Sequence, residues 1–263
     1  MSDSFDRSFR NKKVVFLDLD GTVYMGDELL PGAQAFLRYL RDNGIRAYFL
    51  SNNSSRSKQD YVARLTRLGI PTTEEEILLS TDGLIAYLKE RKVTDIYAVG
   101  TRSMLEMMQM EGLQVDAPKP AFVVLGFDTE LTYAKLRKAA LYLQQGIELL
   151  ATHPDMVCPT PEGPIPDVGA MLALFEKATG KSPRMIFGKP NAEMVGHILD
   201  RHGASPGEAV MIGDRIYTDM ELARRVGCDS ILVLSGEATR EDVEGLSWSP
   251  SLVAENLGEI LRV

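Results

Sequence analysis

Apolar and polar positions follow two rhythms along the chain. Short apolar runs close on clusters of acidic, hydroxyl or glycine residues, and between them lie stretches whose apolar residues recur at helical spacing. After a polar amino-terminal tail expected to be mobile, VVFL at 14–17 closes on DLDGT. This predicts a buried parallel strand that delivers polar side chains at its carboxyl end. A helix is predicted over 31–44: Pro31 suits a first helical position, Ala33, Phe36, Leu37 and Leu40 share a face, and Asn43-Gly44 ends it. IRAYFL at 45–50 closes on SNNSS, and Tyr61, Leu65 and Leu68 pattern a helix over 56–69. Strand, helix, strand, helix implies a sheet covered on both faces, which binds ligands outside the carboxyl ends of its strands.

The middle of the chain repeats this rhythm, with strands in 95–100, 121–127 and 147–152 and helices over 102–111 and 131–145. Met104, Met107, Met108 and Met110 read as packing residues of the first of these helices. A loop rich in proline and glycine, 153–169, is too long for an ordinary connection and precedes a helix over 170–179. The last third returns to the opening pattern: MIFGKP, a helix over 191–203, AVMIGD, a helix over 219–226, and SILVL. The fold class expected is α/β, a Rossmann-like doubly wound parallel sheet with an inserted α/β domain. Residues 1–80 and 184–263 form the core and 81–183 the insertion.

Composition narrows the function classes. The 263 residues are 44% hydrophobic and 25% charged, as in globular domains, and 29 basic against 37 acidic residues give a net charge of −8. That charge disfavours nucleic acid and anionic membrane, and no basic patch offsets it. The first ten residues lack an apolar core of the kind an export signal needs, and no apolar run is long enough to span a bilayer, so the reading is cytoplasmic. Cys158 and Cys228 lack CxxC spacing and read as buried thiols. No sequence period marks a face for homodimer formation, so oligomeric state is open.

The candidate chemistry sits at the strand ends: Asp18 and Asp20 after VVFL, Ser51 after YFL, Asp214 after AVMIG, and Lys189 after MIFG. A doubly wound sheet gathers such ends into one place. Crowded carboxylates raise one another's pKa unless a cation joins them, and a small all-oxygen acidic site favours Mg²⁺. Lys189 and Ser51 beside a metal make an electropositive cradle suited to phosphate.

DLDGT at 18–22, SNNSS at 51–55, GKP at 188–190 and GDRIYTD at 213–219 resemble the four signature segments of the haloacid dehalogenase superfamily. VYMG after DLDGT, the insertion, and ATHPD followed by PTPEGPIP are similar to the NagD-like phosphatases with a type IIA (C2) cap. The resemblance implies a Mg²⁺-dependent phosphatase acting on small phosphate monoesters. Asp18 is then the nucleophile that becomes an aspartyl phosphate, and Asp20 is the acid that protonates the leaving oxygen and later deprotonates water. Ser51, Lys189 and the backbone N–H of Asn52 bind the phosphoryl group. Asp18, the Asp20 carbonyl and Asp214 hold the metal.

The same resemblance has Asp219 order metal waters or Lys189, although a helix cap or first-turn carboxylate is the alternative for that residue. Asn53 fastens the second loop together with Asn52, and the pattern does not require arginine at Arg215. Where the family commonly reads ATNPD and PGxGA, this chain has His153 and Asp167. They are expected to face the substrate entrance and set selectivity, with a structural role for His153 as the alternative. The absence of an arginine cluster for a second phosphate favours monophosphates of small polyols, sugars or nucleosides. A phosphate-binding regulatory protein without turnover and a phosphomutase are the competing readings.

Overall fold

The computed structural model describes residue 9, residues 11–160 and residues 162–262. The polar tail therefore lies almost wholly outside the described residues. The chain divides into two compact units. One contains the described residues up to Ser51, Val62–Leu78 and Lys189 onward; the other contains Asn52–Tyr61 and Leu79–Gly188.

The first unit is organised by a six-stranded sheet in the order Leu252–Ala254, Asp229–Val233, Ala209–Gly213, Val14–Asp18, Arg46–Ser51, Ile77–Leu79. Val14–Asp18 pairs in parallel with strands on both sides, one following it in sequence and the other returning from the far end of the chain. The winding direction reverses there, and this reversal opens a crevice at the strand's carboxyl end. Because the side chains of a strand alternate, Val14 and Phe16 meet Val195, Ile198 and Leu199 of the helix Glu193–Arg201 and Leu222 and Ala223 of Glu221–Val226. Val15 and Leu17 are equally buried on the other face. Burial of both faces explains why this strand reads as a continuous apolar run.

The second unit has its own four-stranded parallel sheet, in the order Met185–Ile186, Glu148–Ala151, Phe122–Leu125, Ile96–Val99. One face packs Val124 and Leu150 against Leu84 and Leu88 of Ser80–Glu90 and against Met104 and Met108 of Arg102–Met110. The other packs Val123, Leu125 and Leu149 against Ala139 and Leu143 of Tyr133–Gln144 and Phe175 of Val168–Thr179. Met104 and Met108 are thus core residues, Met107 lies at the core's margin, and Met110 is 81% exposed.

The structure departs from the sequence pattern at several places. Met185–Ile186, read as a core strand, pairs with Leu150–Ala151 in the second sheet, since two apolar residues carry no mark of the sheet they join. The helix Ser80–Glu90 was not apparent from the pattern because its first turn is polar and Gly83 interrupts it. The long loop contains a small hairpin, Val157–Cys158 with Ile165–Pro166. Cys158 and Cys228 are not joined in a disulfide and are only partly buried, and burial pushes the Cys228 thiol up to about 11.

Leu17 is fully buried at the centre of the first sheet. Leu17→Ala should lower the stability of this unit by about 2–5 kcal/mol, read as a lower urea midpoint for loss of its circular-dichroism signal.

Candidate active site

Strand register brings the acidic residues level. Asp18 pairs with Leu50 and Leu17 with Ile212, so Ser51, the last residue of its strand, and Asp214, just past the end of its own, each stand one step beyond the level of Asp18. After Asp18 the backbone turns tightly: the N–H groups of Val23 and Tyr24 donate to the Leu19 carbonyl at 2.9 and 3.2 Å, and Gly21 N–H donates to the Tyr24 carbonyl at 2.9 Å. Gly21 has φ +90°, and a Cβ there would fall 2.4 Å from Asp214 Oδ2; one on Gly236 would fall 1.9 Å from the same atom. Two glycines therefore let the backbone close around the Asp214 carboxylate, which no bulkier residue would permit.

Asp214 Oδ2 accepts the Glu237 N–H at 2.7 Å. Its Oδ1 is buried with no hydrogen-bond partner among the described residues. Burial, followed by the charges of Asp18 and Asp219, pushes the Asp214 carboxyl well above the usual carboxylate range. Lys189 is buried beside this group. Its Nζ donates to Asp18 Oδ1 and, at 2.7 Å, to Asp219 Oδ1. Burial works to lower the Lys189 pKa, but the facing charges of Asp18 and Asp219 outweigh it and raise it above its ordinary value.

Asp219 lies in a π-helical turn, Ile216–Met220, ahead of the helix expected to begin with it. Its Oδ2 accepts the Arg215 N–H at 3.1 Å, so one carboxylate both fastens the turn and holds the lysine. Burial raises the Asp219 pKa to about 6 against the opposing pull of Lys189. Arg215 is paired with Glu237 at 3.0 Å.

Ligand atoms of Asp18, Asp214 and Asp219 lie within 4.8 Å of one another. An all-oxygen set with an orphaned buried carboxylate oxygen fits a small hard divalent cation. Asp18 and Asp214 have oxygens to offer it, whereas both Asp219 oxygens are engaged by Lys189 and Arg215.

Ser51 is buried at its strand end. In the second unit, Asn52 Nδ2 donates to Asp155 Oδ1 at 3.0 Å and its carbonyl accepts the Ser80 hydroxyl at 2.8 Å. Asn53 Oδ1 accepts the Ser55 N–H at 3.0 Å, closing a side-chain-stabilised turn. Both asparagines thus fasten the loop after Ser51. His153 and Asp167, expected to face the substrate entrance, have their side chains engaged within the second unit. Both are buried, His153 Nε2 lies 3.5 Å from Asp167 Oδ1, and the same Asp167 oxygen accepts the Val168 N–H at 2.6 Å at the start of a helix. His153 Nδ1 lies 3.8 Å from Asp155. The histidine side chain sits between two carboxylates, an environment a sequence departure does not reveal. Asp155 and Gly236 were not singled out by sequence reasoning; only ATHPD offered a signal for the first.

The raised pKa values carry a pH dependence. The folded metal-free protein holds a proton on Asp219 up to about pH 6, whereas the unfolded chain releases it near 3.8. That contribution is present below the unfolded value and lost as pH rises through the folded one. Mg²⁺ should therefore raise the melting temperature more at about pH 7.5 than at about pH 5. Asp214→Asn should remove most of the rise while leaving the metal-free protein at least as stable as wild type at the higher pH. Thermal melts with and without Mg²⁺ check both outcomes.

Comparison with known proteins agrees with this geometry. A haloacid dehalogenase-like hydrolase model matches residues 15–114 and a HAD-hydrolase-like model matches residues 186–260. An acid sugar phosphatase of Staphylococcus aureus is 31% identical over 251 residues, 95% of this chain and 96% of that protein. The structure of a 4-nitrophenylphosphatase from Thermotoga maritima is 39% identical, covers 97% of this chain and 98% of its own, and superposes with a TM-score of 0.92. A glycerol phosphate phosphatase of Mycobacterium tuberculosis, solved with magnesium, is 28% identical over 96% of this chain and 77% of its own, with a TM-score of 0.86. NagD structures superpose as well. With an acid sugar phosphatase matched almost end to end and both halves of the signature set in place, the chain belongs to the haloacid dehalogenase-like hydrolases, in their NagD-like branch.

Proposed function

We propose that the chain is a Mg²⁺-dependent phosphatase that hydrolyses small phosphate monoesters through an aspartyl phosphate on Asp18. The observation that carries this reading is the buried Lys189 ammonium between Asp18 and Asp219, next to a buried Asp214 oxygen that has no hydrogen-bond partner among the described residues. A protein that only binds phosphate has no use for a nucleophile and a separate general acid, the roles of Asp18 and Asp20.

The chain's residues divide the work. Lys189 holds Asp18 in place with an oxygen at the crevice and, once phosphate binds, neutralises a phosphoryl oxygen. Asp18 attacks phosphorus, the bond to the leaving oxygen breaks, and Asp20 gives that oxygen a proton. Asp20 then takes a proton from the water that opens the aspartyl phosphate, which restores the Asp18 carboxylate and leaves Asp20 protonated for the next turnover. Ser51 and the Asn52 N–H bind phosphoryl oxygens. Asp219, through Lys189 and the Arg215 N–H, is a positioning residue. Asp18, Asp214 and the Asp20 carbonyl would hold Mg²⁺, which supplies charge neutralisation to the transferring phosphoryl group when bound.

Residues 81–183 are assigned as the cap that excludes bulk water and contacts the leaving group. The net charge of −8 and the absence of a basic patch favour a small phosphate ester over nucleic acid, and a cytoplasmic setting suits such substrates. No helix among the described residues is long and apolar enough to cross a membrane. Monophosphates of small polyols, sugars and nucleosides are the favoured class.

A panel of phosphorylated metabolites scored by kcat/KM with Mg²⁺ tests the reading. Activity on several small monoesters, abolished by chelation and restored by Mg²⁺, is expected. Full activity in metal-free enzyme, or phosphate binding without release of any alcohol, would contradict it.

A further inference from the structure

Tyr24 lies in the sequence segment VYMG, outside the residues given chemical roles above, and its side chain is fully buried. It begins a short hairpin in which Tyr24–Met25 pairs antiparallel with Glu28–Leu29. Its backbone is fixed from both sides, N–H to the Leu19 carbonyl and carbonyl from the Gly21 N–H. Its ring is fixed as well: the Arg64 guanidinium carbon stands 4.3 Å from the ring centroid, and Arg64 Nη2 donates to the carbonyl of Gly26 in the hairpin turn. Arg64 is itself buried, so this cation–π contact is shielded from water. What this clamp aims is the phenol. Tyr24 Oη donates to Asp20 Oδ2 at 3.4 Å.

We propose that Tyr24 is a positioning residue for the general acid, selecting which Asp20 oxygen carries the transferable proton. This inference rests on the phosphatase reading and on Asp20 as its acid. A free aspartic acid can carry its proton on either oxygen and rotate away from the leaving group. A phenol that donates to Oδ2 makes that oxygen the acceptor, so the acid proton sits on Oδ1. When the bond from phosphorus to the leaving oxygen breaks, the O–H bond at Oδ1 breaks with it and the proton passes to the leaving oxygen, while Tyr24 keeps its own. Arg64 restricts the tyrosine to this arrangement by holding both its ring and the hairpin turn.

The effect separates from simple packing through the leaving group. Departure of an alkoxide needs the proton, whereas p-nitrophenolate leaves with little help. In the first turnover with Mg²⁺, followed by rapid quench, Tyr24→Phe should slow leaving-group release from glycerol phosphate about tenfold. Release from p-nitrophenyl phosphate should change less than about twofold. In an Asp20→Asn background the same substitution should change neither rate further, because its effect passes through the missing acid. The phenylalanine keeps the ring under Arg64, and a melting temperature close to wild type confirms that the fold is retained. Equal slowing of both substrates by Tyr24→Phe, or an unchanged effect in the Asp20→Asn background, overturns the positioning role while the phosphatase reading stands. A wild-type enzyme that releases neither leaving group overturns the phosphatase reading, and this inference with it.

Discussion

The architecture depends on one charge problem. Asp18, Asp214 and Asp219 are gathered at the carboxyl ends of a parallel sheet, and the last two are fully buried. Lys189 meets two of the three, from a chain segment far from Asp18 in sequence, and Arg215 adds a weaker favourable field. The remaining imbalance falls on Asp214, whose raised pKa and Oδ1, unpartnered among the described residues, mark the place where one more cation is called for. Charges this close in a low-dielectric site cannot remain ionised together without it. A cluster that is costly in the metal-free protein is therefore ready for a metal and for the negative charge of a phosphoryl group.

Topology provides the convergence. Val14–Asp18 is the strand at which the winding of the sheet reverses, so its neighbours come from opposite ends of the sequence and their polar ends fall within one or two residues of register. Glycines at 21 and 236 then allow the backbone to close on the Asp214 carboxylate. The π-turn before Glu221–Val226 places Asp219 where it can accept the Arg215 N–H and hold Lys189 at once. Each feature is local, and each is needed for the same few ångströms of space.

Much of this was legible in the sequence because buried parallel strands announce themselves as apolar runs that end abruptly. Asp18, Ser51 and Asp214 stand where those runs stop, and the helices Ala33–Asp42, Lys58–Arg67 and Tyr133–Gln144 follow their apolar periodicity. Tertiary choices were not legible. Met185–Ile186 could have joined either sheet, and Ser80–Glu90 hides behind a polar first turn. The same holds for His153 and Asp167, whose departure from a familiar pattern marks them as unusual without showing that they face each other inside the second unit. Tyr24 was visible only as part of a motif, since its bond to Asp20 depends on a turn and on an arginine from a distant helix.

In the proposed mechanism Lys189 and the buried carboxylates make Asp18 a nucleophile, so the phosphoryl group passes through that residue. The most direct measurement is a rapid-quench reaction of the Mg²⁺-loaded enzyme with a ³²P-labelled monoester, followed by peptide mapping of the trapped protein. Acid-stable, hydroxylamine-labile label is expected on the peptide containing Asp18, formed and lost at rates compatible with turnover and absent in Asp18→Asn. Turnover at the full rate with no label on that peptide, or with label on a different residue, would contradict it.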